Sequence, residues 1–150
     1  MNIFSYIIDV DTSDSIELIN ITPKISMLIE QCGMKHGLSC ITSRHTTTAL
    51  FVNEFESRLV SDIKTFFQQL VPAGTGYLHD DIHLRDCPAD EPENTHAHIM
   101  AMLLSNSEVI PVVDSSLAIG QWQSVLFAEL DGPRSRTLNV QLIGELSQEG

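Results

Sequence analysis

At 150 residues, with 43% hydrophobic and 19% charged side chains, the chain has the length and balance of one folded domain, 1–150, and not of a disordered segment. A formal net charge of −12, with only eight Lys and Arg, excludes a nucleic-acid binder, because phosphate neutralisation needs a basic stripe. No run approaches membrane-spanning length, and the N-terminus lacks the basic start of a signal peptide. Cys32, Cys40 and Cys87 lack CxxC spacing and read as reduced thiols, so a cytoplasmic protein is expected.

In chain order, "IFSYIIDV" predicts an opening strand and "SIELIN" a second. Thr22-Pro23 reads as N-cap and first helical position, with Ile25, Leu28, Ile29 and Cys32 at helical spacing before Gly33. "GLSCITSRHTTTALFVNE" is rich in β-branched residues and reads as strand, bent or broken near His45. Residues 57–70 place Leu59, Ile63, Phe66, Phe67 and Leu70 on one face of an amphipathic core helix. Residues 71–93 are a long polar loop, and loops of that length in compact domains tend to be functional or disordered. A helix follows from Asn94 or Thr95, apolar all round and so covered on most sides, by another subunit among other possibilities. "EVIPVVD" and "QSVLFAEL" are strands, and "DGP" (131–133) is a turn predicting a hairpin between "QSVLFAEL" and "RSRTLNVQLIGEL". The whole is an α+β fold with mixed or antiparallel sheets.

Five histidines and a carboxylate carry the chemical signal. His45 shares its strand face with Ser43, Thr47 and Ala49, which leave room beside an imidazole, and Asn53 and Glu54 follow at the strand's end. Glu129 lies on the face of Val125 and Phe127, where a carboxylate must be paired, metal-bound or exposed. His79 and His83 flank two aspartates in the loop. His96 and His98 point about 200° apart on a helix, so at most one of them enters a given site. His98 shares its side with the small Ala101 and Ser105, whereas His96 shares its side with Met100 and Leu103. His98 is therefore the functional candidate and His96 a structural one. His45, His79, His98 and Glu129 together suit zinc, manganese or iron better than calcium. HExxH, GxGxxG, the P-loop and GxSxG are absent.

"HTTTALFVNE" (45–54), "GYLHDD" (76–81), "HAHIMAMLL" (96–104) and "IGQWQSVLFAELDGPRSR" (119–136) together resemble the YjbQ family, often described as secondary thiamine-phosphate synthases. The resemblance spans nearly the whole chain. It implies a homotrimer of α+β domains and a divalent metal (zinc, manganese or magnesium) on His45, His79 and His98. Its motifs also match Thr46, Thr47, Asn53, Glu54, Tyr77, Asp80, Gly120, Trp122, Gln123 and Glu129. The implied activity joins an aminopyrimidine diphosphate to a thiazole phosphate. Glu54, Asp80 and Glu129 are then the catalytic carboxylates, while Asn53, Gln123, Arg134 and Arg136 touch the small-molecule substrate. Two positions depart from the pattern: Phe55 stands where an Asn is usual, and Ser115-Ser116 where a basic residue is common. The alternatives are a metal-dependent hydrolase or lyase, and a trimeric protein that binds a metal or anion without catalysis.

Overall fold

The computed structural model of the chain describes residues 1–147. Among these, three α-helices and two antiparallel sheets make up the α+β fold that the patterning predicts. The larger sheet has the order β1 (Asn2–Asp11), β8 (Ser135–Leu146), β3 (Met34–Ser43), β5 (Ser107–Val113) and β6 (Ser116–Leu117). The smaller has the order β2 (Glu17–Asn20), β7 (Ser124–Glu129) and β4 (Thr48–Asn53).

Alternation explains how the layers meet. Ile8 and Val10 of β1, Ile41 of β3 and Leu138, Val140 and Leu142 of β8 face inward from the large sheet. They pack against Leu50, Val125 and Phe127 of the small sheet, and against Ile25 and Ile29 of α1 (Thr22–Cys32). The opposite face of the small sheet, with Leu18, Ala49 and Ala128, is covered by Phe67 of α2 (Ser57–Leu70) and by Ala97 and Met100 of α3 (Thr95–Leu103). Among the described residues, no helix covers the outer face of the large sheet.

Several local expectations change. Thr22 is a helical residue of α1 and not its cap; its hydroxyl accepts from Val125 N–H at 2.8 Å and so pins the helix to β7. Gly33 does end α1, in the left-handed conformation (φ 67°) that glycine tolerates best. On α2 only Phe67 is buried, while Phe66 and Leu70 are 56% and 51% exposed, so the predicted core stripe is only partly used within one chain. No β7–β8 hairpin forms, because the two strands belong to different sheets and 130–134 carries the chain from one to the other. Gly132 is required there: a Cβ would lie 2.1 Å from the Asp14 carbonyl oxygen. The strand predicted across 37–54 breaks at His45 for the same reason, passing from β3 in one sheet to β4 in the other. A hydrogen bond between the buried hydroxyls of Ser43 and Thr48 staples that crossing.

Candidate functional site

The two sheet crossings, 44–47 and 130–134, lie side by side and fix the polar groups around them. Glu129 projects from β7 on the face of Val125 and Phe127, toward the large sheet. Arg136 projects from β8 on the face of Leu138 and meets it. The guanidinium donates to Glu129 through Nη2 at 2.6 Å and Nε at 2.7 Å, and through Nη2 to Thr47 Oγ1 at 2.9 Å. Glu129 also accepts from Leu130 N–H, Asp131 N–H and the Thr12 hydroxyl. Both residues are buried, Glu129 completely. A charge pair in such surroundings holds only when its remaining hydrogen-bonding capacity is met, and here it is met by protein. Glu129 and Arg136, expected as a catalytic carboxylate and a substrate contact, bond to each other and join the two sheets.

His45 sits on the first crossing. Its Nε2 accepts from Thr137 N–H at 2.9 Å. Burial, then the Arg136 charge, holds its pKa below the ordinary value, so the ring is neutral with its proton on Nδ1. The ring then has no lone pair left for a cation, which speaks against His45 as a metal ligand. It is a hydrogen-bond donor instead.

The loop expected at 71–93 contains two 3-10 turns, Leu78–Asp80 and Ile82–Leu84. Asp80 ties the first turn to the start of α3, accepting from Thr95 N–H at 3.1 Å and from the Thr95 hydroxyl. The cap of α3 thus comes from a residue far back in the chain, not from the Asn94 or Thr95 side chain as expected. Burial raises the Asp80 carboxyl's pKa, but the Thr95 bonds, with His96 and His79 nearby, outweigh that and hold it below the carboxylate range. Next to this anchor, the His79 ring meets the His98 ring edge to face, with centroids 5.0 Å apart and an interplanar angle of 79°. Among the described residues neither ring makes a hydrogen bond. Burial, and then His79 beside it, lowers the His98 pKa and keeps that imidazole unprotonated near neutrality. His45 and His98 line one depression of about 300 Å³, with Thr46, Thr48, Ala101 and Asn106.

Two features escaped sequence reasoning. Arg85 donates from Nη1 to the His79 carbonyl at 2.9 Å and lies close enough to His98 to influence it. Asp131 joins α3 to the second crossing, accepting from Asn94 Nδ2 at 2.6 Å and Arg134 Nη2 at 2.8 Å. An arginine six positions after a histidine, within an acidic loop, gave no periodic signal. The remaining expected residues lie elsewhere. Asn53 pairs in register with Ser124, while Thr48 pairs with Glu129, so Asn53, Glu54 and Gln123 occupy the far end of the β4–β7 ladder. Five strand steps separate Asn53 from Thr48, roughly 17 Å. There Gln123 Oε1 accepts from Gly120 N–H at 2.7 Å and Trp122 is 68% exposed.

A divalent metal is matched only in part. Two imidazoles with free nitrogens have the right chemistry for a borderline cation. Among the described residues, however, no three His, Cys, Asp or Glu side chains gather closely enough to hold one. The described residues of one chain therefore do not by themselves make up a full set of metal ligands. The three cysteines are free, and no helix among the described residues is long and apolar enough to cross a membrane.

Fold and site together define a small two-sheet α+β protein with an open histidine pair at a sheet crossing. The chain belongs to the UPF0047 protein YjbQ-like family, whose pattern matches residues 6–145. It is 39% identical over 145 residues to a UPF0047 protein of Methanothermobacter thermautotrophicus, covering 97% of this chain and 95% of that one. A UPF0047 protein of Archaeoglobus fulgidus is 41% identical over 132 residues, covering 88% and 95%. The fold also matches a crystal structure of a YbjQ-like protein from Sulfolobus solfataricus P2, with TM-score 0.85, 33% identity and coverage of 96% and 99%.

Proposed function

We propose that this chain is a small-molecule enzyme whose working centre is the His79–His98 pair, with His45 as a neighbouring hydrogen-bond donor. The observation that carries this reading is the pair itself: two half-buried imidazoles, centroids 5.0 Å apart, whose nitrogens no group among the described residues uses. Polar groups left without partners in a structured site are available to a ligand. His79 and His98 would hold a divalent cation, with zinc or manganese favoured over magnesium because imidazole suits the softer ions. Such an ion, when bound, supplies a Lewis acid that activates water or polarises a substrate oxygen. His45, with Nδ1–H directed by its bond from Thr137, donates a hydrogen bond to a substrate oxygen without giving up its proton, and so would stabilise negative charge developing there in hydrolytic or lyase chemistry. Asp80 positions His79 through α3 instead of taking a proton. Glu54, Asn53 and Gln123 reach the centre only from a neighbouring copy.

The last point favours an assembly, and we propose a homotrimer. Besides the incomplete ligand set, the middle of the outer face of the large sheet, from Ile3, Ser5 and Ile7 on β1 to Val109 on β5, is free of charged side chains although the chain has a net charge of −12, with Asp9, Asp11 and Glu145 toward its ends. Ile3, Ile7 and Val109 there are 61%, 62% and 58% exposed. Acidic copies can meet across such an uncharged band with little repulsion. Light scattering should give three copies per particle; a stable monomer at micromolar concentration would overturn the assembly.

A second reading, the joining of an aminopyrimidine diphosphate to a thiazole phosphate with release of pyrophosphate, is favoured by the Arg85 guanidinium beside His98. Arg134 and Arg136 support it less, because both are engaged by carboxylates. Pyrophosphate release from the two precursors tests it directly.

Zinc titrations of purified alanine variants test the main reading. His79→Ala and His98→Ala should each lose most of the affinity, whereas His96→Ala should retain it. Undiminished affinity in both of the first two would remove the pair from the centre.

A further inference from the structure

His96 lies two residues before His98 and faces a different cleft, of about 360 Å³, between the end of α2, α3 and the β1–β2 connection. Ile16, Val71, Met100 and Leu130 form its floor, each no more than 6% exposed. Gln68 and Ser15 stand at its rim, both exposed. This is the usual build of a small-molecule site: an apolar floor with few polar groups.

The histidine supplies the second observation. His96 Nδ1 is buried and without a hydrogen-bond partner among the described residues. Nε2 also makes no such bond but is not buried, so it is the nitrogen left open. With no acceptor beside Nδ1, the ring's N–H belongs on Nε2, where solvent or a ligand can accept from it. The cleft thus offers one donor above a floor of aliphatic carbon and the Met100 thioether. Asp80 is close enough to interact with His96, and its negative charge opposes a carboxylate ligand here.

We propose that this cleft is a second binding site, distinct from the His79–His98 centre, for a small uncharged molecule with an apolar ring and a carboxamide or lactam group. The carbonyl oxygen accepts from His96 Nε2–H, the amide N–H donates to Gln68 Oε1, and the ring lies on the Ile16–Met100–Leu130 floor. Met sulfur against an aromatic edge adds a favourable contact. Two residues of one helix then serve two sites, because two helical steps turn them to different sides.

Benzamide, titrated into the full chain and followed by NMR of backbone amides and methyl groups, is the probe. Saturable shifts should centre on Val71, Met100 and Leu130, with a dissociation constant of about 1 mM, which is realistic for so few atoms. Benzoate and toluene, lacking neutrality and an acceptor respectively, should each bind about tenfold more weakly. Gln68→Trp, at an exposed rim position, should close the cleft and abolish the shifts while leaving zinc binding at His79–His98 unchanged. His96→Phe should weaken benzamide about tenfold by removing the donor. The proposal is overturned if benzamide does not saturate, if its shifts centre on the His45–His98 depression, or if toluene binds as well. Full benzamide binding by Gln68→Trp overturns it too, and that variant decides the matter should His96→Phe fail to fold.

Discussion

Two polar clusters, Glu129–Arg136 and His79–His98, lie near each other and differ in one respect. The first is closed: two opposite charges, buried, with the carboxylate accepting also from Leu130 N–H, Asp131 N–H and the Thr12 hydroxyl. The second is open, with two imidazoles facing each other and no protein partner for their nitrogens among the described residues. A polar group in an apolar setting invites a functional reading, yet burial alone does not separate scaffold from site. Saturation does. The closed cluster joins two sheets, and the open one is left for something the chain does not contain.

The largest effect should come from breaking the closed pair. Glu129→Ala leaves Arg136 buried without its counter-charge and should cost about 3–5 kcal/mol in urea unfolding. Replacing both residues, Glu129→Leu with Arg136→Met, should recover most of that loss, because no charge is then left unpaired. If the single change costs less than about 1 kcal/mol, the pair does not hold the sheets together.

Asp80 anchors the loop that carries His79 to the start of α3, and its removal should act more mildly. Asp80→Ala deprives the first turn of α3 of its acceptor at Thr95 and should cost about 1 kcal/mol. Hydrogen exchange should rise across 76–93 at the same time, since that bond ties the loop to the helix. Unchanged exchange there would mean that the Arg85–His79 contact, not Asp80, orders the loop.

At the open pair, stability should hardly respond. His98→Ala should change unfolding free energy by no more than about 0.5 kcal/mol while it removes zinc affinity. A large loss of stability would show that the ring is packing material.

The smallest effect is on pH. His45 and His98 both have pKa values below the ordinary 6.5, chiefly through burial. The unfolded chain therefore binds more protons in the window between their folded values and 6.5. Their contribution is complete above about pH 6.5 and declines as the pH falls through that window. Thermal melts should show a modest decline on acidification, and His45→Gln should flatten it. A decline identical in wild type and variant would assign it to other groups.

Much of this was legible in the sequence. Alternation in "IFSYIIDV" and "RSRTLNVQLIGEL" is enforced by burial on one face, so it names those strands reliably; the 3.6-residue spacing of 57–70 named its helix too, although only Phe67 of that stripe is buried within the chain. Glu129 on the face of Val125 and Phe127 announced that a partner was needed. That the partner is Arg136, seven residues on, was hidden because "DGP" reads as a hairpin turn, whereas the chain leaves one sheet for the other there. Helix geometry and the small Ala101 and Ser105 pointed to His98 over His96 as the functional candidate; in the fold it is the His98 ring that meets His79. His45 misled for a local reason: a backbone N–H from Thr137 occupies its Nε2, and strand patterning carries no trace of such a bond. Asn53, Glu54 and Gln123 sit at the far end of one ladder, a separation set by strand register and invisible to motif order.

Long-range nitrogen NMR of the histidine rings, with and without zinc, addresses the contrast between open and closed groups most directly. The account predicts a neutral His45 with its proton on Nδ1, unchanged by zinc, and large zinc-induced shifts of one nitrogen each in His79 and His98. Zinc-induced loss of the His45 Nε2 bond, or silence from both His79 and His98, would contradict it.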